Sequence, residues 1–214
     1  MSLSSFPERI EYGQQALERQ DLLDDPLQLF ARWFGEAVAS GLPEVNGVCL
    51  CTNDPEEGPD GRIVLLKGFE TEGFSFFSNY GSSKGRQLEA DPRAALVFWW
   101  QPLRRQVRIR GAVERLPAAD SDDYFASRPR ASQLGAWASL QSQPIEGRDR
   151  LDQNLQQAES RFPEGQPVSR PPHWGGYLLR PTRYEFWQGR DSRLHDRFVY
   201  TPGAEGWQIQ RLMP

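Results

Sequence analysis

The feature that most constrains this chain is a series of short apolar segments separated by turns, which begins near Val48. Segments at 48–52, 62–69, 74–78, 94–100 and 106–116 have the length and composition of β-strands. Several of the turns between them, such as Glu72-Gly73, are too short for the crossover that parallel strands require. The segments therefore predict a largely antiparallel sheet.

Helices and three further strands complete the predicted domain. Asp25 as N-cap, Pro26 at the first helical position and Gln28 at the third predict a helix start, and Gly41 is a suitable stop. Further helices are predicted at 82–90, 119–127, 130–139 and 147–161, and strands at 175–188, 196–201 and 206–211. This pattern predicts a small barrel or sandwich with helices packed outside, formed by residues 25–214 and preceded by a polar arm over residues 1–24.

Composition narrows the functional classes. The 25 Lys and Arg against 29 Asp and Glu give a net charge of −4, which argues against binding nucleic acid through overall charge. A basic cluster near Trp99 and Trp100 offers single-stranded nucleic acid as an alternative, but Val107 and Ile109 alternate with polar residues as in any half-buried strand. We expect no nucleic acid partner.

The sequence also predicts neither a membrane anchor nor a metal site. It has no run of about 18 apolar residues, and its N-terminus lacks the apolar core of a signal peptide, so we expect a cytoplasmic protein. Two histidines and no Cys/His cluster give no basis for a metal site. Cys49 and Cys51 share one face of a predicted strand, a poor geometry for a mutual disulfide.

Three cation-bearing motifs are candidates for binding phosphate. Lys84 lies in the first helical turn after a Gly/Ser-rich turn, where backbone N–H groups favour an anion; a solvated helix start is the alternative. Arg62 and Lys67 bracket an apolar strand, and their odd spacing predicts opposite faces; a buried strand with wet ends is the alternative. Tyr124, Arg128 and Ser132 are spaced four residues apart, although Pro129 interrupts the helix, and their two hydroxyls and one guanidinium suit a phosphomonoester; a surface helix end is the alternative.

The segment around His195 is a fourth candidate. If extended, it places Arg193, His195 and Arg197 on one face and Asp196 on the other. A histidine between two arginines has its pKa pushed down, which suits a site for an anionic ligand. A charged edge strand is the alternative.

Together and in order, these motifs resemble the pyridoxine/pyridoxamine 5′-phosphate oxidase family. The resemblance runs from about residue 9 to the end and is carried by segments 62–67, 77–84, 105–107, 127–137, 141–142, 185–189, 193–198 and 211–214, with Tyr124. It implies a mainly β fold with α-helices: the FMN-binding split β-barrel, antiparallel and Greek-key-like, with peripheral helices. Two positions depart from the family pattern: Phe77 replaces a usual Tyr, and Ser83 replaces a frequent second cation.

The resemblance also implies residue roles. The implied FMN ligands are Arg62, Val64, Leu65, Lys67, Phe77, Ser78, Lys84, Gln106, Gln141, Ser142, Trp187 and Arg197. The implied substrate ligands are Lys67, Tyr124, Arg128, Ser132, Arg193 and His195, with Arg9 and Tyr12 from a mobile N-terminal lid. Arg193 and His195 are the implied catalytic pair. The chain has only two lysines, Lys67 and Lys84, and the resemblance gives each of them a phosphate.

The implied reaction is the FMN-dependent oxidation of pyridoxamine or pyridoxine 5′-phosphate by O2 to pyridoxal 5′-phosphate. It releases H2O2, and NH3 from the amine, within vitamin B6 salvage or biosynthesis. The implied assembly is a homodimer with FMN at its interface. Two alternatives stay open: a flavin oxidase of the phenazine-biosynthesis type, and a non-catalytic protein that binds FMN or pyridoxal phosphate.

Overall fold

The structure is a computed structural model and describes residues 11–214. Its helices are α1 (Pro26–Ala39), α2 (Ser83–Ala90), α3 (Ala118–Ser127), α4 (Arg130–Ala138) and α5 (Arg148–Arg161). Its strands are β1 (Gly47–Asp54), β2 (Gly58–Glu70), β3 (Gly73–Asn79), β4 (Arg93–Trp100), β5 (Arg105–Arg115), β6 (Trp174–Gln188), β7 (Asp196–Gly203) and β8 (Gly206–Leu212). No helix in this part of the chain is long and apolar enough to cross a membrane.

The strands form one sheet in the order β3-β2-β1-β4-β5-β6-β7-β8, and β3 also pairs with β6. That additional pairing closes six strands into a barrel, with β7 and β8 continuing the sheet beyond it. The pairings of β2 with β1 and β3, and of β6 with β3 and β7, are antiparallel. The predicted antiparallel split barrel with peripheral helices is confirmed.

The first hairpin is tighter than the sequence predicts. The strand after the first turn is predicted to begin at Arg62, but β2 begins at Gly58, opposite Asp54. The Asp54 carboxylate accepts hydrogen bonds from the backbone N–H groups of Glu56 and Glu57, at 3.0 and 3.1 Å. Gly58 has a φ of +88°, which glycine adopts without a steric penalty. This side-chain turn lets pairing start four residues earlier than the apolar pattern indicates.

The chain divides into two compact units. Unit 1 comprises the chain up to Val45 with Leu96–Ile109 and Thr182–Pro214, and unit 2 comprises Asn46–Ala95 with Arg110–Pro181. In unit 1, α1 buries Phe30 and Trp33 completely, against Phe98 and Phe186 at ring distances of 5.1 and 5.3 Å. The helix begins where predicted, because the Asp25 carboxylate caps the Leu27 N–H at 2.8 Å.

Unit 2 packs three helices on the start of β6. The buried side chains of Phe125, Leu134, Ala158 and Trp174, from α3, α4, α5 and β6, form one apolar cluster. The chain breaks between α3 and α4 at Pro129, as the sequence predicts, because proline cannot donate the backbone hydrogen bond that a continuous helix needs.

Candidate active site

A cavity of about 870 Å³ in unit 2 gathers most of the predicted ligand residues. Predicted FMN ligands and predicted substrate ligands line the same space. The predicted residues in its lining are Arg62, Val64, Leu65, Lys67, Phe77, Ser78, Lys84, Tyr124, Arg128, Ser132, Gln141 and Ser142. The volume falls within the range of about 300–1,000 Å³ that is typical of small-molecule sites.

Arg62 is held by polar groups on two sides of its guanidinium. Nη1 donates to the Leu50 carbonyl at 3.2 Å and to the Thr52 hydroxyl. Nη2 donates to the Gln87 carboxamide oxygen at 2.8 Å and pairs with the Asp60 carboxylate. A guanidinium has five N–H donors, so these four contacts leave the Nε–H group unused by them. These contacts fix the guanidinium in place but use four of its five N–H donors.

Arg62 and Lys67 line one cavity from β2. Regular alternation predicts opposite faces for residues five apart. Burial over residues 62–67 agrees with this prediction, because it alternates regularly from the partly buried Arg62 to the exposed Lys67. The consecutive residues 63–65 also line the cavity, so both faces of the strand contribute to its lining. The pairing of β2 with β3 shifts by one residue between Leu66 and Gly68.

Lys84 is a buried cation at the start of α2. The residue is only 8% exposed. Its Nζ donates to the Gln141 carboxamide oxygen at 3.0 Å and to the Ser82 hydroxyl at 3.4 Å. Burial, and then the nearby Arg62 charge, lower the Lys84 pKa. The ion pairs found within residues 11–214 do not include Lys84. A buried ammonium with only neutral partners is suited to an anionic ligand.

Ser78 shares the acceptor that Lys84 uses. Its hydroxyl donates to the same Gln141 oxygen at 3.1 Å. Ser142, which follows Gln141, has a φ of +68°, a strained backbone conformation for a residue other than glycine. It lies in a turn in which the Gln143 N–H donates to the Leu140 carbonyl. We call Arg62, Ser78, Lys84 and Gln141 the Arg62 cluster.

A further cation, Arg128, lines the cavity from the end of α3. Arg128 lies with its guanidinium carbon 4.5 Å above the centre of the Trp174 ring, and its Nη1 is buried with no hydrogen-bond partner in the described part of the chain. Burial lowers the Arg128 pKa. The rings of Phe77 and Tyr124 stack beside it, with centroids 3.9 Å apart. We call Phe77, Tyr124, Arg128 and Trp174 the Arg128 cluster; Ser132 lines the same cavity.

The remaining predicted ligands belong to unit 1 and are absent from the described lining of this cavity: Tyr12, Gln106, Trp187, Arg193, His195 and Arg197. Arg197 pairs with the buried Glu185 at 2.7 Å and donates to the Met213 carbonyl at 2.9 Å. Arg9 lies outside the described residues. The roles of these residues stay predictions.

The residues just before His195 are not extended. Residues Asp191–Arg193 form a short 3₁₀ turn, and Ser192 and Arg193 have φ values of +58° and +64°. Strand β7 starts at Asp196, as predicted, so Arg193 and His195 precede the strand and do not share a strand face with Arg197. The turn bonds to the N-terminal segment, where the Gly13 N–H donates to the Asp191 carboxylate at 2.6 Å.

His195 is fixed by this turn. Its Nδ1 accepts the Arg190 backbone N–H at 3.0 Å, and its ring lies 4.5 Å from Trp187 and 5.7 Å from Tyr12. Burial, and then the Arg193 charge, lower the His195 pKa, so the predicted direction is confirmed with burial as the larger cause. Because Nδ1 accepts a hydrogen bond, the proton of the neutral imidazole lies on Nε2.

Two groups of site residues escape the sequence analysis. Gln87 and Thr52 are both buried and hold Arg62. The one sequence feature that points to Gln87 is its position three residues after Lys84 on α2. Trp174 lines the cavity at the first residue of β6, and the sequence marks it only as an aromatic after a Pro-rich link.

The chain matches two family models that together span most of its length. Residues 34–162 match the model described as pyridoxamine 5′-phosphate oxidase, and residues 174–214 match the model described as the pyridoxine 5′-phosphate oxidase C-terminal dimerisation region. The two matches cover all eight strands, helices α2 to α5, the C-terminal part of α1 and the residues that line the cavity.

Similar curated proteins carry one name. The chain is 54% identical over 215 residues to the pyridoxine/pyridoxamine 5′-phosphate oxidase of Bordetella pertussis, covering 100% of both chains. It is 52% identical to the protein of the same name from Rubrobacter xylanophilus, covering 96% of this chain and 94% of that one. Among solved structures, PhzG from Burkholderia lata has a TM-score of 0.87 at 24% identity, covering 95% of this chain and 100% of that one, which shows the shared fold.

Proposed function

The chain belongs to the pyridoxine/pyridoxamine 5′-phosphate oxidase family, and on that premise we propose that it oxidises pyridoxamine and pyridoxine 5′-phosphates to pyridoxal 5′-phosphate. We further propose FMN as cofactor and a homodimer as the working form. The observation that carries the proposal is one cavity with two separately held cationic clusters, one of which has a buried guanidinium donor without a partner.

The residues of the Arg62 cluster fit the phosphate of FMN. Lys84 offers a buried ammonium with neutral partners, and Ser78 offers a hydroxyl that bonds to the same amide oxygen. The apolar side chains of Val64 and Leu65 line the same cavity and suit the face of a flavin ring. Ser142 belongs to the same proposed set.

The Arg128 cluster fits the phosphate of the substrate. Arg128 and Lys67 supply charge, and the hydroxyls of Tyr124 and Ser132 supply neutral donors in the same lining. Two phosphorylated ligands need two cationic sites, and the proposal is supported by the two sets of cations in the lining of this cavity. Gln106, Trp187 and Arg197 are proposed FMN contacts, some of them across the dimer. The match of residues 174–214, which include Trp187 and Arg197, to a dimerisation region supports this assembly.

When bound, FMN would accept a hydride from C4′ of the substrate and transfer the two electrons to O2, which becomes H2O2. The balanced reactions are pyridoxine 5′-phosphate plus O2 giving pyridoxal 5′-phosphate plus H2O2, and pyridoxamine 5′-phosphate plus O2 plus H2O giving the same products plus NH3. The chain's own part is to hold the two phosphates and to exclude competing orientations.

His195 and Arg193 act in this proposal as donors that orient the substrate. The Nδ1 of His195 already accepts the Arg190 N–H, so its Nε2–H is the group that faces a ligand as a hydrogen-bond donor. Burial and the Arg193 charge lower its pKa, which favours the neutral ring. Tyr12 packs on the same ring, which supports a role for residues 1–24 as a lid over the substrate.

The test is direct. Purified protein should be yellow with FMN, and it should consume O2 and form H2O2 when pyridoxamine 5′-phosphate is added. Protein that neither binds FMN nor oxidises either substrate contradicts the proposal. Yellow protein without turnover identifies a carrier instead.

A phenazine-type flavin oxidase is the second candidate, favoured by the fold shared with PhzG. The Tyr124, Arg128 and Ser132 set argues for a phosphorylated substrate. Oxidation of tetrahydrophenazine-1-carboxylic acid in preference to pyridoxamine 5′-phosphate would reverse this ranking.

A further inference from the structure

We propose that Trp174 is a positioning residue: its indole holds the face of the Arg128 guanidinium, so that the N–H donors on the guanidinium edge remain available for a substrate phosphate. The inference rests on the proposed function, because it assigns Arg128 to the substrate. It concerns a residue that neither the sequence motifs nor the family roles include.

The backbone of Trp174 is fixed from three directions. It is the first residue of β6 and pairs with Asn79 of β3. Its N–H donates to the Pro171 carbonyl at 3.1 Å, and its carbonyl accepts from Arg170 Nη1 at 2.6 Å. Because the residue is also only 8% exposed, its ring is a rigid part of the cavity wall.

Three aromatic rings stack in nearly parallel planes around this position. Trp174 lies 16° from the plane of Phe77 and 7° from that of Tyr124, with centroids 5.5 and 6.2 Å away. Phe77 and Tyr124 stack at 3.9 Å. The position where the family usually has a Tyr is therefore occupied here by a ring that is used for stacking.

Arg128 rests on this layer without a carboxylate partner. Its guanidinium carbon lies 4.5 Å above the Trp174 ring and 5.5 Å above that of Phe125, and the ion pairs of the described residues do not include it. A carboxylate would hold the cation by its edge and occupy its donors. An aromatic face holds it by its π surface and leaves the edge available. The buried Nη1 without a partner is the result expected of this arrangement.

The main test compares Trp174→Leu with Trp174→Phe in the FMN-loaded protein. Trp174→Leu should raise KM for pyridoxamine 5′-phosphate about tenfold, with a small change in kcat. Trp174→Phe keeps an aromatic face under the guanidinium, so its KM should stay close to the wild-type value. For unphosphorylated pyridoxamine, KM should be the same in all three proteins. If Trp174→Leu raises KM equally for the phosphorylated and the unphosphorylated substrate, the role of Trp174 is merely structural and the inference is overturned.

Trp137→Leu is the matched control. Trp137 also lies under an arginine, Arg161 at 4.0 Å, and packs on the same apolar cluster of unit 2, but it is not in the described lining of the cavity. The control should lose comparable stability and keep the wild-type KM. If it raises KM as much as Trp174→Leu does, the effect comes from packing and the inference fails.

Arg128→Lys keeps the test decisive even if Trp174→Leu does not fold. Lysine retains the charge but has no flat face to stack, so it should bind the phosphate more weakly by a similar factor. Wild-type affinity in Arg128→Lys contradicts the inference.

Binding is measured by calorimetric titration with 4-deoxypyridoxine 5′-phosphate, which cannot be oxidised at C4′. Wild-type protein that binds this analogue but does not oxidise pyridoxamine 5′-phosphate contradicts the proposed function alone. Active wild-type protein with an unaffected Trp174→Leu variant contradicts the Trp174 inference alone.

Discussion

The Arg62 cluster and the Arg128 cluster lie on one cavity but hold their arginines in opposite ways. Arg62 is surrounded by Leu50, Thr52, Gln87 and Asp60, which accept four of its hydrogen bonds. Arg128 lies on an aromatic face with a buried donor that has no partner. The first arrangement fixes a cation and reduces what it can offer, and the second fixes a cation and preserves its donors.

The difference suggests a division of labour between the two clusters. In the Arg62 cluster, Lys84 makes hydrogen bonds only to Ser82 and Gln141 and contacts no carboxylate, so it is the better candidate for direct contact with a phosphate. Arg62 then forms part of the cavity wall. In the Arg128 cluster, the arginine itself provides the charge and the geometry. A ligand exchanged at every turnover suits the second type, and a resident ligand suits the first.

The largest expected effect comes from Arg128→Ala. Losing charge-assisted hydrogen bonds to a phosphate should raise KM for pyridoxamine 5′-phosphate by about 10- to 100-fold while FMN stays bound. Steady-state kinetics and the absorbance of bound flavin measure the two quantities in one sample. If FMN is lost instead, the assignments of the two clusters must be exchanged.

Gln87→Ala should act on the other cluster. It removes the amide oxygen that both Thr52 and Arg62 use, at 2.6 and 2.8 Å, and leaves buried polar groups unpaired. We expect the free energy of unfolding to fall by about 1–3 kcal/mol and FMN to bind about tenfold more weakly. Chemical denaturation and flavin titration measure these changes. KM for substrate serves as the internal control, and an effect on KM as large as that on FMN would show that the clusters are not independent.

Replacing each of the two lysines by arginine keeps the charge and should have a larger effect at the buried Lys84 than at the exposed Lys67. Lys84 is buried between Ser82 and Gln141, so the larger Arg side chain in Lys84→Arg should weaken FMN binding about five- to tenfold by overpacking. Lys67 is exposed on the bulge of β2, so Lys67→Arg should change KM much less. Flavin titration and substrate kinetics compare the two variants. Equal tolerance at both positions would show that the size of the Lys84 side chain is unimportant.

The smallest expected effect is a pH dependence confined to the Arg62 cluster. Burial and the Arg62 charge hold the Lys84 pKa below its ordinary 10.5. Because only the protonated amine attracts a phosphate, FMN affinity should fall as pH rises through this lowered pKa. Lys84→Arg stays charged, so its profile isolates the lysine from ionisation of the flavin itself. Identical alkaline profiles for the two proteins would rule out Lys84 as the titrating group.

The sequence was most informative where a local pattern fixes a local structure. The α1 start at Pro26 follows from the Asp25 cap, and the end of α3 before Pro129 follows from the missing backbone donor. The cations of both clusters were identified from their neighbours along the chain. Apart from the first hairpin, each predicted helix and strand is present within two residues of its expected bounds.

Features that depend on distant residues were missed or mistaken. The left-handed turn at Ser192 and Arg193 depends on bonds to the N-terminal segment near Gly13, about 180 residues earlier, and no local pattern encodes it. The bulge at Lys67 depends on which residues of β3 lie opposite β2.

The sequence by itself determined the strand pattern, the helix boundaries and the inventory of cations, because these depend on residues a few positions apart. Tertiary structure alone decided that Arg62 and Lys67 line one cavity, that Gln87 holds Arg62, and that Trp174 lies under Arg128. The physical reason is that hydrogen bonds and ring contacts act over a few ångströms in space, between residues that the chain separates by tens of positions.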